Sequence, residues 1–481
     1  MQTHFDTIIV GAGLSGIGAA YYHQKKRPKK SYAILEGRNA LGGTWDLFKY
    51  PGIRSDSDMY TLGFSFNPWS DPRAVADGPA ILQYIKETAE KFDINKNIQY
   101  NSKAITANWS DNTKQYTLQI ENPQTGNTRQ ITCNFLIMCS GYYNYAQGHD
   151  PQFKGKQDFN GTVIHPQHWD NSLDYAGKRI IIIGSGATAV TLLPEFQKQA
   201  QSVTMLQRSP SYIVEIPSED KIAKFLGKFL PKKLTHWIIR WKNILVAMLF
   251  YQFGQRSPKT AKRSIQKEIK KHLGEKYKKA DFDPGYKPWD QRICFIPDSD
   301  FLLALKQPNA HIITDTIDQF TANGILLNSG KELDADIIVT ATGLQLQFFG
   351  GMQMMVNGKP VVSSALYTYK GVLLSDIPNL AFVAGYTNAT WTLKCELSCQ
   401  YILRLLTYMD KKGHSVCTPR VDPATIKDKP LLDLTSGYIK RSEHELPKQG
   451  DRKPWKLNQN YILDSIALKM KGVNSKELQF Q

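Results

Sequence analysis

One pattern occurs twice in this chain, and the pair limits the fold more than any other feature. The first copy opens on the β-forming run Phe5-Asp6-Thr7-Ile8-Ile9-Val10. It turns through Gly11-Ala12-Gly13-Leu14-Ser15-Gly16, continues as a helix from Ile17, and reaches a second apolar run, Tyr32 to Leu35, that ends in Glu36. The second copy starts roughly 170 residues later with Arg179 to Ile183. It turns through Gly184-Ser185-Gly186-Ala187-Thr188-Ala189 and, after a helix, reaches Val203 to Leu206, but there it ends in Gln207-Arg208 instead of an acid. A lone GxGxxG is a weak signal. Two glycine turns, each in its full strand–turn–helix–strand context, are a strong one.

The fold class that follows is α/β, with two Rossmann-like dinucleotide-binding domains. At the first turn Gly11 allows the bend, Gly13 lets a pyrophosphate approach the backbone, and Gly16 lets helix and strand close on each other. The helix start offers free N–H groups and partial positive charge to phosphate, and Ser15 can donate there as well. Glu36 accepts from ribose hydroxyls and repels a 2′-phosphate, so this site is expected to take a dinucleotide with a free ribose, FAD or NAD. At the second turn, Gly184 to Val190, the same backbone logic holds. Gln207 and Arg208 replace the acid, and a guanidinium pairs with a 2′-phosphate, which favours NADPH over NADH.

Two further apolar runs end in glycine, Phe135 to Gly141 and Asp336 to Gly343, and they read as crossings between the domains. The expected division is a discontinuous FAD-binding domain of residues 1–145 and 345–481. An NADPH-binding domain of 146–344 is inserted in it and itself carries a helical subdomain at about 215–290. A chain of 481 residues has room for this. The six cysteines form no CxxC pair and lack zinc spacing, so no metal is expected, and they read as reduced thiols of a cytoplasmic protein. No signal-peptide pattern opens the sequence, and the longest apolar run, Ile244 to Tyr251, is too short to span a bilayer.

Between the fingerprints lie two longer motifs. Gly42-Gly43-Thr44-Trp45-Asp46-Leu47-Phe48-Lys49-Tyr50-Pro51-Gly52-Ile53-Arg54-Ser55-Asp56 is the first, and Phe159 to Asp170, containing His165 and Trp169, is the second. Together they resemble the two signatures of the Baeyer–Villiger flavin monooxygenases, and the likeness extends over nearly the whole chain to the ethionamide-activating subgroup. The resemblance implies that Ser15, Glu36, Thr44, Trp45, Asp46, Leu47 and Asp56 contact FAD and that Ala104 does so through its backbone. It further implies that Arg54, Ser55 and Asp56 form a loop reaching both cofactors, that Gly184, Ser185, Gly186, Ala187, Thr188, Ala189, Val190, Gln207 and Arg208 hold NADP, and that Arg292 is the catalytic arginine, oriented by Asp56. His165 lies between domains and reads as a hydrogen-bonded hinge.

The activity so implied consumes NADPH and dioxygen. By way of a C4a-peroxyflavin, with NADP⁺ retained, it inserts one oxygen atom into a small apolar ketone to give an ester, or transfers it to the sulfur of a thioether or thioamide. A fixed cation keeps oxygen anionic during attack on a carbonyl, and arginine stays protonated even when buried. The rival readings are an N/S-oxidising or long-chain alkane-oxidising flavin monooxygenase, and a flavin-bearing sensor or membrane scaffold without turnover. The last would leave Arg292 and both signatures without a purpose.

The formal charge is +17, and most of it sits between Lys221 and Lys279, where seventeen Lys/Arg face only Glu268 and Glu275. Apolar residues alternate with these bases at helical spacing. In the resembling family this segment is a lid over the active site. Its charge leaves two readings, a solvated basic face or peripheral docking on an anionic membrane. No motif supports nucleic-acid binding.

Overall fold

The computed structural model describes residues 2–481. Two sheets organise it, the first mixed and the second parallel. In chain order the elements that place the site begin with strand β1 (His4–Val10), helix α1 (Leu14–Lys26) and strands β2 (Tyr32–Leu35), β3 (Lys103–Ser110), β4 (Gln115–Glu121) and β5 (Thr128–Met138). Next come β6 (Thr162–Ile164), β7 (Arg179–Ile183), helix α2 (Ala187–Gln197) and β8 (Ser202–Gln207). Three helices follow, α3 (Lys221–Leu226), α4 (Lys232–Arg256) and α5 (Pro258–Leu273), then β9 (Ala310–Thr314) and β10 (Ile337–Thr340). The chain closes through β11 (Gln353–Val356), β12 (Leu380–Phe382) and the long helix α6 (Trp391–Lys412).

The first sheet runs β11-β3-β4-β5-β1-β2, and β12 pairs with the end of β5. β1 lies parallel between β2 and β5, with Val10 opposite both Leu35 and Met138. Period-two side chains divide its faces. Ile9, Ile34 and Ile137 pack toward α1 and α6, while Ile8, Leu35, Leu136 and Met138 pack on the other side. The second sheet is wholly parallel in the order β9-β8-β7-β10-β6. Ile180 and Ile182 face α2, and Ile181 and Ile183 face an antiparallel meander formed by residues 317–334. Four apolar residues in a row on β7 are thus explained by burial on both faces.

The chain passes from the first sheet to the second after β5 and returns after β10. The two passing segments run side by side: Asn144 N–H donates to the Gln345 carbonyl at 2.8 Å, and Tyr143 bridges to Leu346. Gly141 and Gly343 take positive φ (+67° and +100°) at these exits, where a side chain would be strained. Helices α3 to α5 enter between β8 and β9. α4 returns to the first sheet's layer through Arg240, whose Nη1 donates to the carbonyls of Tyr60 and Gly63 (2.7 Å each) and whose Nη2 pairs with Glu396 of α6 at 2.7 Å. No helix of the described residues is long and apolar enough to cross a membrane. The cysteines are all free and buried, Cys395 and Cys399 among them, and the described residues contain no cluster able to hold a metal.

Candidate active site

The first glycine turn is a cradle that side chains would fill. A Cβ on Gly11 (φ +102°) would lie 2.6 Å from the Cys139 carbonyl oxygen, and one on Gly16 would lie 1.9 Å from that of Gly11. Gly13 caps α1 with no side-chain bond, so the first helical N–H groups remain free for an anion. Glu36 is buried and accepts from the N–H of Ala12 (2.8 Å) and of Arg38 (3.0 Å), which fixes its carboxylate beside the turn. Burial raises its pKa above the ordinary range, and those two backbone bonds oppose the rise. Ser102 N–H bonds the Glu36 carbonyl, which brings Ala104, buried at a β-bulge of β3, up to the same corner.

The 44–47 turn, with Thr44, Trp45, Asp46 and Leu47 all half-buried, lies against this cradle through Gly43, whose Cα is 3.5 Å from a Cβ built on Gly13. Asp46 pairs with Arg38, and Arg38 Nη1 is buried without a partner. An orphaned donor beside a glycine cradle and a ribose-accepting carboxylate fits the pyrophosphate and free ribose of FAD. Ser15 has a further task that the sequence did not show. Its Oγ accepts from Trp391 Nε1 at 2.9 Å and lies 3.2 Å from Cys395 Sγ, so it ties α1 to the start of α6.

At the second turn a Cβ on Gly184 (φ +136°) would meet the Ala341 carbonyl at 2.4 Å, whereas Gly186, the uncapped start of α2, faces open space. Ser185 Oγ donates to the Ser209 carbonyl at 2.8 Å, and Ala187 is exposed with Thr188 half-exposed beside it. Ala189 and Val190 belong to the core beneath the turn and support it without facing a ligand. Gln207 also differs from the expected contact. Its buried amide donates to the Asp281 carbonyl (3.0 Å) and to Thr314 Oγ1 (2.9 Å), so it fixes the strand end from which Arg208 projects. Arg208 is exposed and makes no ion pair among the described residues. Arg441, from the returning chain, stands near enough that repulsion from Arg208, after burial, lowers its pKa. Two guanidiniums near one another, neither in an ion pair among the described residues, suit the 2′-phosphate of NADPH. Arg441 gave no sequence signal, because only the chain's return brings it there.

The 50–56 loop joins the two sites. A Cβ on Gly52 (φ +74°) would come within 2.6 Å of Glu195 Cγ on α2, and Tyr50 reaches Thr188. Arg54 pairs with Asp300, while Ser55 Oγ is buried without a partner. From this loop Asp56 extends to Arg292 Nη1, at 3.5 Å, the outer limit of a hydrogen bond. Arg292 Nη2 donates to Tyr142 Oη at 3.2 Å, and Nε is buried with no partner. The neighbouring hydroxyl of Tyr142 chiefly, then Tyr438, Tyr143 and Asp56, hold its pKa well above the usual guanidinium value against the cost of burial. A ring and bond chain leads from here to the first site: Tyr142 packs with its ring tilted 5.2 Å from Trp391, which donates to Ser15. Trp289, at φ +73° and pressed against Gly254 of α4, sets the loop that carries Arg292.

An apolar cavity lies along this chain, lined by Tyr142, Trp391, Phe349, Phe382, Val383 and Leu446 among others. His165 stands apart from it. Its Nδ1 accepts from the Gln167 N–H (3.1 Å), which leaves Nε2 to donate to the Gly343 carbonyl (3.2 Å), and burial depresses its pKa. With both nitrogens spent on backbone at the crossing, it clasps the hinge.

Two nucleotide cradles, with Arg292 and an apolar cavity on either side of Tyr142 between them, define a two-dinucleotide flavoenzyme. A family model described as flavin-binding monooxygenase-like matches residues 64–381, and one described as an NAD(P)-binding Rossmann-like domain matches residues 9–73. The chain belongs to the flavin-binding monooxygenase-like family. It is 48% identical to the FAD-containing monooxygenase EthA of Mycobacterium tuberculosis, covering all of this chain and 98% of that one. It is 45% identical to the probable FAD-binding monooxygenase AlmA of Acinetobacter baylyi, over 98% of this chain and 94% of that one. Among solved structures it matches OTEMO in complex with FAD and NADP (TM-score 0.79, 18% identity, all of both chains) and cyclohexanone monooxygenase (TM-score 0.77, 17% identity, 99% of this chain and all of that one), a likeness of fold.

Proposed function

We propose that this protein is an FAD-dependent, NADPH-consuming monooxygenase of the Baeyer–Villiger type. It converts a ketone, dioxygen, NADPH and a proton into an ester, NADP⁺ and water, and oxidises thioethers or thioamides as a second group of substrates. The observation that carries this reading is the state of Arg292: a permanently charged guanidinium bonded to Tyr142 at the wall of an apolar cavity, only loosely paired with Asp56 and left with an orphaned Nε. Bound FAD, reduced by NADPH, supplies the activation of dioxygen.

The residues do the rest. The Gly11–Gly16 turn and Glu36 hold the FAD dinucleotide, and Arg208 and Arg441 select the phosphorylated nicotinamide nucleotide. The 50–56 loop keeps the two cofactors in register. Arg292 stabilises the negative charge that builds on oxygen when a carbonyl is attacked, and it does so without giving up a proton. Tyr142 and Asp56 aim it, and the apolar walls exclude water that would compete for the activated oxygen.

Product analysis by mass spectrometry tests the reading, using methyl ketones of graded length, one thioether and isotopically labelled dioxygen. The expected result is an ester carrying one labelled oxygen. Sulfoxide from the thioether with no ester from any ketone would replace it with an N/S-oxidising enzyme.

A further inference from the structure

Helix α4 buries the wrong face for an ordinary amphipathic helix. The side turned to the protein carries Thr235, His236, Ile239, Arg240 and Ile244, and its contact joins the apolar Ile239 and Ile244 to a polar centre at Arg240. The side turned to solvent carries Leu234, Trp237, Leu245, Leu249 and Phe253, a stripe at spacings of three, eight, four and four, with Leu249 70% exposed. The preceding helix α3 and the turn after it add Ile222, Phe225 and Phe229, the last 71% exposed. The stripe does not stop at the insertion. Trp241 packs on Tyr461 (5.8 Å), and beyond Tyr461 the chain exposes Ile462, Leu463, Ile466 and Met470, the last at 77%. Two segments more than two hundred residues apart in sequence therefore present one large apolar surface, far beyond the scattered exposure of a soluble domain.

The charge around this surface is predominantly positive. Lys221, Lys224, Lys228, Lys232 and Lys233 are exposed among its aromatic and aliphatic residues, and α3 and α4 contain no Asp or Glu. Two carboxylates precede α3: Asp220 is buried, capping α3 and pairing with Lys242, while Glu219 is exposed and pairs with Lys224, so the bases remain in excess. We propose that this face docks on an anionic lipid bilayer, with Phe225, Phe229, Trp237 and Leu249 entering the headgroup boundary and the flanking lysines pairing with lipid phosphates. Charge complementarity favours lipid over a second copy, whose same face would bring an equally basic surface against this one. A cavity bordered by Asn243, Ala247, Met248 and Tyr251 of α4, with Tyr386 and Tyr461 opposite, adjoins the stripe, so docking places its α4 wall beside lipid.

The test needs no turnover and is independent of the proposed reaction. FAD-loaded full-length protein is sedimented with vesicles of phosphatidylcholine, with and without phosphatidylglycerol, at low and raised salt. Binding is expected only with phosphatidylglycerol, weakening with salt. The triple replacement Lys224→Gln, Lys228→Gln and Lys232→Gln should weaken it about a hundredfold, at about fivefold per base. Phe229→Glu with Leu249→Glu should abolish it while flavin content and the soluble NADPH-dependent reduction stay unchanged, because neither residue touches a cofactor cradle. Wild-type protein left in the supernatant with anionic vesicles at low salt overturns the proposal. So does a dimer in solution that the double glutamate variant dissolves while lipid binding is absent, since a second copy would then own the face.

Discussion

At the level of single residues, the proposed chemistry turns on Arg292, and its removal separates two half-reactions. Replacing it with Ala should leave NADPH-dependent flavin reduction near the wild-type rate in stopped-flow absorbance, because no atom of Arg292 contributes to either nucleotide cradle. Ester formation should fall by about a hundredfold or more, the usual cost of losing one donor at a developing oxyanion. Ester produced at the normal rate would remove Arg292 from the mechanism. Arg208 and Arg441 carry a different prediction. A charge-assisted bond is worth about 1.5–3 kcal/mol, so Arg208→Gln should raise KM for NADPH roughly tenfold to a hundredfold and leave that for NADH almost unchanged. Arg441→Gln should act in the same direction, and steady-state kinetics with both nucleotides would expose a purely structural role by moving both values together. The sequence pointed to Arg208 through its place in a contiguous fingerprint. Arg441, Tyr142 and Tyr438 were invisible there: they lie far from Arg208 and Arg292 along the chain, and only its double crossing between sheets brings them in. Gln207, Ala189 and Val190 show the converse, fingerprint positions whose side chains serve the scaffold, Gln207 through hydrogen bonds and the other two through packing.

At the level of elements, both βαβ units could be seen in the sequence because burial on two faces leaves unbroken apolar strands and the nucleotide turn demands glycines at fixed spacing. The basic segment was legible as helices but not in its orientation. Apolar residues every three or four positions ordinarily mark the buried side, yet α4 turns Leu234, Trp237, Leu245 and Leu249 outward. The reason is Arg240, which needs Glu396 and the carbonyls of Tyr60 and Gly63 and thereby fixes which side of the helix is buried, with Ile239 and Ile244 packed beside it. Glu396 also accepts from Tyr22 and from Ser65, so one carboxylate joins α1, α4 and α6. Glu396→Ala leaves a buried guanidinium without a counter-charge and should destabilise the fold by about 3–5 kcal/mol in urea unfolding. Arg240→Met combined with Glu396→Leu should recover much of that loss, since the uncompensated charge leaves with its partner. A double variant no more stable than Glu396→Ala would show that the carbonyl bonds, not the ion pair, hold α4 in place.

For the molecule as a whole, two buried histidines set an acid limit on this arrangement. His23 of α1 lies beneath the first sheet, 3.2 Å from Thr7 Oγ1, with Nδ1 unpartnered, and burial depresses its pKa from 6.5 to about 3. His236 of α4 lies at the seam with Tyr60, and burial, aided by Arg240, takes it to about 4. In the unfolded chain both titrate near 6.5. Between that value and about 4 the unfolded state therefore binds up to two more protons than the folded one, so stability is full above about pH 6.5 and declines as pH falls. Each group contributes a slope of about 1.4 kcal/mol per pH unit once well below 6.5. The decline begins before the carboxylates protonate, which makes it separable from general acid unfolding. Urea midpoints measured from pH 7 to pH 5 should fall in wild type, and His23→Gln with His236→Gln should flatten that limb even if it lowers stability at pH 7. An unchanged slope in the double variant would mean that other groups set the acid limit. One histidine guards the FAD-side layer and the other the seam where the helical insertion meets it. Protonating the second should therefore loosen α4 first, and limited proteolysis within 232–256 should appear at a higher pH than loss of bound flavin.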